Sequence, residues 1–403
     1  MIPRRRIQIV KGEFYIALQE FLHRNNSLSL FIPKFEEEFA KYIGVEYAVC
    51  VGSGRQGMKA ILKALKLCTD DEVIIPAYTL KDLIGVIESL GLKVVPADIS
   101  LKTFNIDPET VARKITKRTK VILATHLFGV PCQINSILEI AKQKAIFVIE
   151  DCAHSVGSGF GGHKTGSFGD AAFFSFETIK LINAYGGGMI TTNDKALAER
   201  IRRENTCSNI QERVIFKKII SAYLENLFLP ACLSYPFLAL LASETYNEKA
   251  YNMYRAFQGT TMSKSMFTGL QALIGIKKLA SLDERIILRR GRADLFKSLI
   301  RDKILPQQVA DQMLPNYYFF VALLPHNISK VRKYMLAHGI DCGIGSEIAD
   351  DCGSFLGKSD CPNALKVFNS AIQLPFYEQL SDDILYYIAN TLNSYLYDSN
   401  RIS

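Results

Sequence analysis

The chain has 403 residues, 48% of them hydrophobic and 22% charged, with a formal net charge of +8. That length fits one large domain plus a smaller one, and the composition is globular rather than disordered. The positive charge suits anionic partners such as phosphorylated small molecules or acidic lipid surfaces, but no basic-aromatic platform or zinc-finger spacing appears, which sets nucleic acid aside. The nine cysteines lack a C-x-x-C pair, so neither a disulfide framework nor a metal site is encoded, and they read as buried thiols of a reducing compartment. MIPRRRIQIVKGEF has the charge of a signal peptide's start without an apolar stretch behind it, so a cytoplasmic protein is expected.

In chain order, residues 47–194 alternate β-rich runs with helical ones: YAVCV, GMKAILKALKL, EVIIPA, LKDLIGVIESL, KVVPADI, KVILATHL, INSILEIAKQK, IFVIEDC, AAFFSF and GGMITT. This rhythm predicts an α/β fold with a mostly parallel central sheet flanked by helices. Ligands of such sheets collect beyond the carboxyl ends of the strands, near Pro76, His126, Asp151 and Phe176. After ALAERIRREN the texture changes. NLFLPACLSYPFLALLAS, residues 226–243, carries no charge and holds Pro230 and Pro236. It reads as short buried or dimer-interface helices, or alternatively as a hairpin dipping into a membrane surface, within an apolar insert at about 212–250. FTGLQALIGIKKLASLDERIILRRGRADLFKSLI predicts one long amphipathic helical segment. Beyond it, NYYFFVALL reads as a strand, and ISKVRKYMLAHG and SDDILYYIANTLNSYL as helices. The expected division is a large domain over 1–285 and a small C-terminal α/β domain over 286–403.

The chemistry concentrates in VIEDCAHSVGSGFGGHKTGSFGDAAFFSFETIK, residues 148–180. Asp151 ends a strand, and a carboxylate there can bind a metal, activate water or hold a protonated ring nitrogen. Lys180 follows a second strand and precedes the glycine run YGGGM, where a bulky ligand can approach the backbone. A desolvated lysine can form a Schiff base with an aldehyde; alone, it would read as a surface lysine. VGSGRQGMKAIL, residues 51–62, adds a strand end, a glycine turn and a helix start, so the N–H groups around Gly54, Arg55 and Gln56 offer an anion site. Lysine, carboxylate and phosphate cradle together specify pyridoxal 5'-phosphate, with no metal. A hydrolase triad of Asp151, His154 and a serine is set aside because no G-x-S-x-G elbow accompanies it. His126 reads as a structural histidine.

These pieces, with FEEEFAKYIGVEYAVCVGSG, IIPAYTL, ADISLKTFNIDPETVARKITKRTKVILATHLFGVP, EDCAHSVGS and GSFGDAAFFSF-x-x-x-K, resemble the DegT/DnrJ/EryC1/StrS sugar aminotransferases among the fold type I pyridoxal phosphate enzymes. The resemblance implies that Lys180 binds the cofactor aldehyde and shuttles the substrate proton. It also implies that Asp151 pairs with the ring nitrogen, His154 bonds the ring hydroxyl, Ala153 lies flat on one ring face, and Ser175 with the backbone at Arg55 and Gln56 holds the phosphate. A homodimer and an amino donor such as glutamate are implied too, with a nucleotide-linked keto-sugar as acceptor. Four positions depart from the family pattern. Arg55 replaces a threonine, Leu80 a ring-stacking aromatic and Gly186 a glutamate, and Lys264 stands near the place of an asparagine that reaches the neighbouring subunit's phosphate. Two alternatives stand: the uncharged stretch 226–243 with its basic neighbours would suit a membrane-associated aminotransferase acting on a lipid-linked or amphiphilic ketone, and the departures would suit a catalytically degenerate cofactor- or nucleotide-sugar-binding protein.

Overall fold

The computed structural model describes residues 1–23, 26–205, 212–228, 266–325 and 327–402. Seven strands form the central sheet: β1 (Tyr47–Val51), β2 (Glu72–Pro76), β4 (Lys93–Ala97), β5 (Thr119–Thr125), β6 (Phe147–Asp151), β9 (Ala171–Ser175) and β10 (Gly188–Thr192). Their order is β1-β10-β9-β6-β5-β2-β4, and β10 alone runs against its neighbours. The predicted α/β architecture with a mostly parallel sheet is therefore what the chain adopts.

Strand alternation sorts the side chains between two cores. On one face Val73, Ile75, Leu123, Ile149 and Phe173 pack with Met58 and Ile61 of α3 (Gly54–Ala64) and with α4 (Asp82–Glu88). On the other, Ile74, Ile122, Ala124 and Val148 pack with Val111 of α5 (Pro108–Lys114) and Ile137 of α6 (Ile134–Lys144). The same alternation turns Glu150 and Asp151 to opposite faces. α3 starts because Ser53, in an extended conformation, caps it by accepting from the Gln56 amide.

Short strands join this body to the C-terminal part. β3 (Tyr78–Thr79) pairs with β15 (Asp350–Asp351), and β12 (Met313–Leu314) joins the hairpin of β7 (Gly159–Phe160) and β8 (His163–Lys164). A separate four-stranded sheet holds β11 (Leu305–Pro306), β13 (Phe320–Leu323), β16 (Ala371–Leu374) and β14 (Gly343–Ile344) in that order. Its own core gathers Phe296, Val331, Met335, Ile372, Leu385 and Leu392.

Two expectations change. The long helix breaks at Ser281 into α9 (Gly269–Ala280) and α10 (Leu282–Leu299). Asp283 and Glu284 in the first turn of α10 suit the positive end of a helix dipole. NYYFFVALL becomes a strand only from Phe320, because Tyr317 takes a positive φ of 48° and Asn316–Phe319 run as a loop. The insert begins with a single helix, α8 (Glu212–Phe228), and residues 229–265 lie outside the described residues. Among the described residues no helix is long and apolar enough to cross a membrane.

Candidate active site

Asp151 sits at the carboxyl end of β6 on the face that carries α3. It is buried, and its carboxylate accepts the Ala153 amide at 3.0 Å. Burial pushes its pKa up, against the Ala153 N–H, the Lys180 ammonium and His126, which pull it down. Thr125 is its register partner on β5, with a buried hydroxyl that bonds nothing among the described residues. On the other side, β9 brings Ser175 to the same edge. A Cβ on Gly54 would lie 3.3 Å from the Ser175 Cβ, so the start of α3 and Ser175 adjoin.

Lys180 lies in the loop after β9. Burial lowers its amine to about 8, against the pull of Asp151 and Glu177, while Arg5 lowers it further. Its Nζ stands 4.7 Å from the Tyr318 ring centre. Tyr318 stacks on His154 at 4.4 Å, and its hydroxyl is buried with no partner among the described residues. His154 is kept neutral: burial first, then Lys180, depress its pKa well below the usual value. Its Nδ1 accepts the Phe128 amide at 3.4 Å, so the other ring nitrogen carries the proton.

Sequence reasoning missed Tyr318, which lies within a run that reads as strand. A guanidinium pair holds it in place. Arg289 donates to the carbonyls of Tyr317 at 2.7 Å and Tyr318 at 2.9 Å, and Arg285 donates to the Leu181 carbonyl at 2.8 Å, next to Lys180. Both guanidiniums meet Glu378, at 3.0 and 3.3 Å. Asn316 completes the dock by donating to the carbonyls of His154 at 3.0 Å and Val156 at 2.9 Å. Only the aromatic doublet Tyr317-Tyr318 and the arginine-rich helix hinted at this in sequence.

Glu150 serves structure instead. It accepts backbone amides from Gly166, Phe168 and Gly169, each at 2.8 Å, and faces His126 Nε2 at 2.9 Å. His126 Nδ1 accepts the Cys132 amide at 3.0 Å. His126, Glu150 and Cys152 have potential metal-ligand atoms within 4.8 Å of one another. The His126 and Glu150 lone pairs are already engaged, so the trio works as a knot under the 157–169 loop.

The departures also find explanations. Arg55 pairs with Asp82 at 2.5 Å, which spends its charge within the protein. The Gln56 amide bonds the Ser53 hydroxyl at 3.2 Å, so it caps the helix rather than standing open for a phosphate. Leu80 packs against the α3-side core. Gly186 takes a φ of +134°, and a Cβ there would come 3.9 Å from Oε2 of Glu177, whose carboxylate pairs with Lys218 at 2.6 Å. Lys264 lies outside the described residues.

A depressed lysine and a buried carboxylate at the carboxyl edge of a mostly parallel sheet, beside a helix start, define an enzyme of the aminotransferase class. The chain belongs to the DegT/DnrJ/EryC1/StrS aminotransferase family, whose sequence pattern matches residues 18–393. GDP-perosamine synthase of Escherichia coli O157:H7 is 27% identical over 380 residues, 91% of each chain. A dTDP-3-amino-3,6-dideoxy-alpha-D-galactopyranose transaminase of Aneurinibacillus thermoaerophilus is 37% identical over 207 residues, 50% of this chain and 57% of its own. Among solved structures, the aminotransferase TlmJ of Streptoalloteichus hindustanus superimposes with a TM-score of 0.78 at 20% identity, covering 99% of this chain and 100% of its own.

Proposed function

We propose that the protein is a pyridoxal 5'-phosphate-dependent aminotransferase that moves an amino group from glutamate to a nucleotide-linked keto-sugar, for surface polysaccharide or glycosylated metabolite synthesis. The carrying observation is Lys180, an amine brought down to about 8, on the same edge as the desolvated Asp151. The names of the two relatives, both sugar-nucleotide enzymes, support the acceptor class.

The residues fit the cofactor. The orphaned hydroxyls of Tyr318 and Thr125 await partners, and Asp151 has little hydrogen bonding to offset its burial. When bound, pyridoxal phosphate supplies an aldehyde and an electron-withdrawing ring. Asp151 would hold a protonated ring nitrogen, whose positive charge relieves the cost of burying the carboxylate. Ser175 and the backbone at Gly54 and Arg55 would hold the phosphate. His154, neutral and stacked on Tyr318, would donate to the ring hydroxyl, and Ala153 would lie against one ring face. Lys180 would be the base: with its amine at about 8, about a tenth of it is unprotonated at pH 7, ready to take a proton from the substrate carbon and return it.

The test is an absorption spectrum of the chain with pyridoxal phosphate, before and after glutamate, beside Lys180→Ala. A lysine-dependent visible band that bleaches with glutamate is expected; its absence in the unaltered chain would make a binding protein the better account. A cytoplasmic homodimer belongs to this proposal. Val214, Leu224 and Leu227 leave an exposed apolar flank on α8 that a second copy would cover, and sedimentation tests it. Liposome flotation with and without residues 226–243 tests the peripheral-membrane alternative.

A further inference from the structure

The loop that carries Lys180 is closed on itself and then held from outside. The Phe176 carbonyl accepts from the Ala184 amide at 2.9 Å and the Gly186 amide at 3.1 Å, so residues 176–186 leave and re-enter at one point. Inside this ring the Asn183 side chain donates to the Thr178 carbonyl at 2.8 Å, which closes a smaller turn around Lys180. Helix α9 supplies the outer hold. Gln271 and Lys278 stand seven residues apart, on one helix face. They reach the Ala184 carbonyl at 3.1 Å and the Asn183 carbonyl at 2.8 Å. The doublet Lys277-Lys278 thus divides: Lys277 is exposed, and Lys278 is fully buried.

Lys278 sits among acceptors. Its ammonium donates to both the backbone and the side-chain oxygen of Asn183, to the Gln8 carbonyl at 3.1 Å and to Glu13 Oε1 at 3.1 Å. Four oxygens around three protons suit a full positive charge, whereas a neutral amine would turn its lone pair on one of them. The Tyr185 ring centre lies 4.9 Å from the same nitrogen and adds a cation–π contact. Burial lowers the amine to about 8, and the Glu13 carboxylate opposes that shift. Glu13 is itself fully buried at the start of α1 (Glu13–His23), where its other oxygen accepts the Val10 amide at 2.8 Å. A buried ion pair is a poor device for stability alone. What this one holds in register is Asn183.

We propose that Lys278, acting through Asn183, is a positioning residue that fixes where the Lys180 amine stands. The inference rests on reading Lys180 as the amine of an aminotransferase. Lys180 Nζ lies 4.7 Å from the centre of the Tyr318 ring, and that distance depends on the course of the loop backbone. Arg285, on α10, holds the loop at Leu181, directly after Lys180. Lys278, on α9, holds it at Asn183. The segment 181–183 is therefore fastened at both ends, and Lys180 cannot swing about either point alone. A displacement of about 1 Å at a reacting nitrogen is enough to slow a reaction by about a hundredfold.

The experiment uses the full chain. Asn183→Ala removes the bridge to Thr178 and one of the Lys278 contacts. Lys278→Met combined with Glu13→Gln removes both buried charges together, so neither is left unpaired, and it carries the same readouts should Asn183→Ala not fold. In the cofactor-free chain, acetylation of Lys180 by acetic anhydride is followed against pH by peptide mass spectrometry. Asp151, Glu177 and Arg5, whose charges act on this amine, are untouched in both variants. A released loop re-admits water to Lys180, so the labelling midpoint should rise from about 8 by roughly half a pH unit or more. With pyridoxal phosphate bound, bleaching at saturating glutamate should slow by about tenfold to hundredfold, with half-saturating glutamate changed by less than about threefold. A lowered urea midpoint with an unaltered labelling curve and bleaching rate would make the cluster a stabilising element and overturn the proposal. So would a raised half-saturation at an unaltered bleaching rate, which reports the pocket rather than the amine. The cofactor band of the unaltered chain reports separately whether the aminotransferase reading stands, and the cofactor-free curve decides the positioning role without it.

Discussion

Arg285 bonds Glu378 at 3.0 Å with one nitrogen and the Leu181 carbonyl at 2.8 Å with another, so one side chain links the lysine loop to the C-terminal part of the chain. Arg289 shares the same carboxylate and holds the carbonyls of Tyr317 and Tyr318. The position of Tyr318 relative to Lys180 is thus set through a single buried anion.

Removing that anion leaves two guanidiniums facing each other. Glu378→Ala should destabilise the fold by about 3 to 5 kcal/mol, the cost of breaking a buried ion pair from one side. Glu378→Gln, which keeps the shape and one acceptor, should cost less; urea midpoints compare the two. The pH dependence has a definite sign. Burial pushes the Glu378 carboxyl up, but Arg289 and Arg285 pull it below its ordinary 4.5. Its contribution is therefore complete above about pH 4.5 and is lost as pH falls through the lower folded value. Acid unfolding of Glu378→Gln should lack this component.

Gly129→Ala tests the dock by sterics. Gly129 has a φ of +91°, and a Cβ there would lie 1.9 Å from Asn316 Oδ1 and 2.8 Å from the Tyr318 amide. The left-handed backbone and the clash act together, so a loss of about 2 kcal/mol or more is expected in thermal or urea unfolding. If the dock swings away, Lys180 regains water, its amine rises from about 8 towards the ordinary 10.5 and its labelling midpoint moves to higher pH; an unaltered labelling curve with lowered stability would show that the loop re-seats.

The sheet was legible because its strands announce themselves: runs such as VILAT and VIED are buried on both faces, as parallel strands between helices must be. Lys180 and Asp151 were legible through the glycine run and the strand ends around them. Glu150 could not be separated from Asp151 by spacing alone, since only the sheet's two faces assign one to a structural knot and the other to the site. Tyr318 was hidden for a different reason. Its β-prone neighbours read as strand, and the carbonyls of 316 to 318 are captured by Arg289, on a helix 27 to 29 residues earlier. Such a tertiary contact leaves no periodic trace.

Lys180 should titrate unlike other lysines. With its amine at about 8 against an ordinary 10.5, the folded chain holds a neutral amine between those values while the unfolded chain keeps its proton. Labelling of Lys180 in the cofactor-free chain should therefore rise with a midpoint near pH 8, and this group should favour folding progressively as pH climbs through that window. Arg5→Gln should move the midpoint up, because a neighbouring positive charge is gone. Quantitative mass spectrometry of the Lys180 peptide, against an exposed lysine such as Lys117, gives the curve.

Asp151→Asn separates two roles of the carboxylate. In the cofactor-free chain the Asp151 charge raises the Lys180 amine, so the asparagine should shift the labelling midpoint below about 8. Stability should change little or improve, because a buried acid under desolvation is replaced by a neutral group of the same shape that can still accept the Ala153 amide. With pyridoxal phosphate added, the loss of a charge-assisted bond to the ring nitrogen should slow glutamate-driven bleaching by roughly tenfold to 150-fold, equivalent to about 1.5 to 3 kcal/mol. Retention of the visible band with slowed bleaching would place Asp151 on the electronics of the ring. An unchanged bleaching rate would mean that the buried carboxylate serves only to tune Lys180.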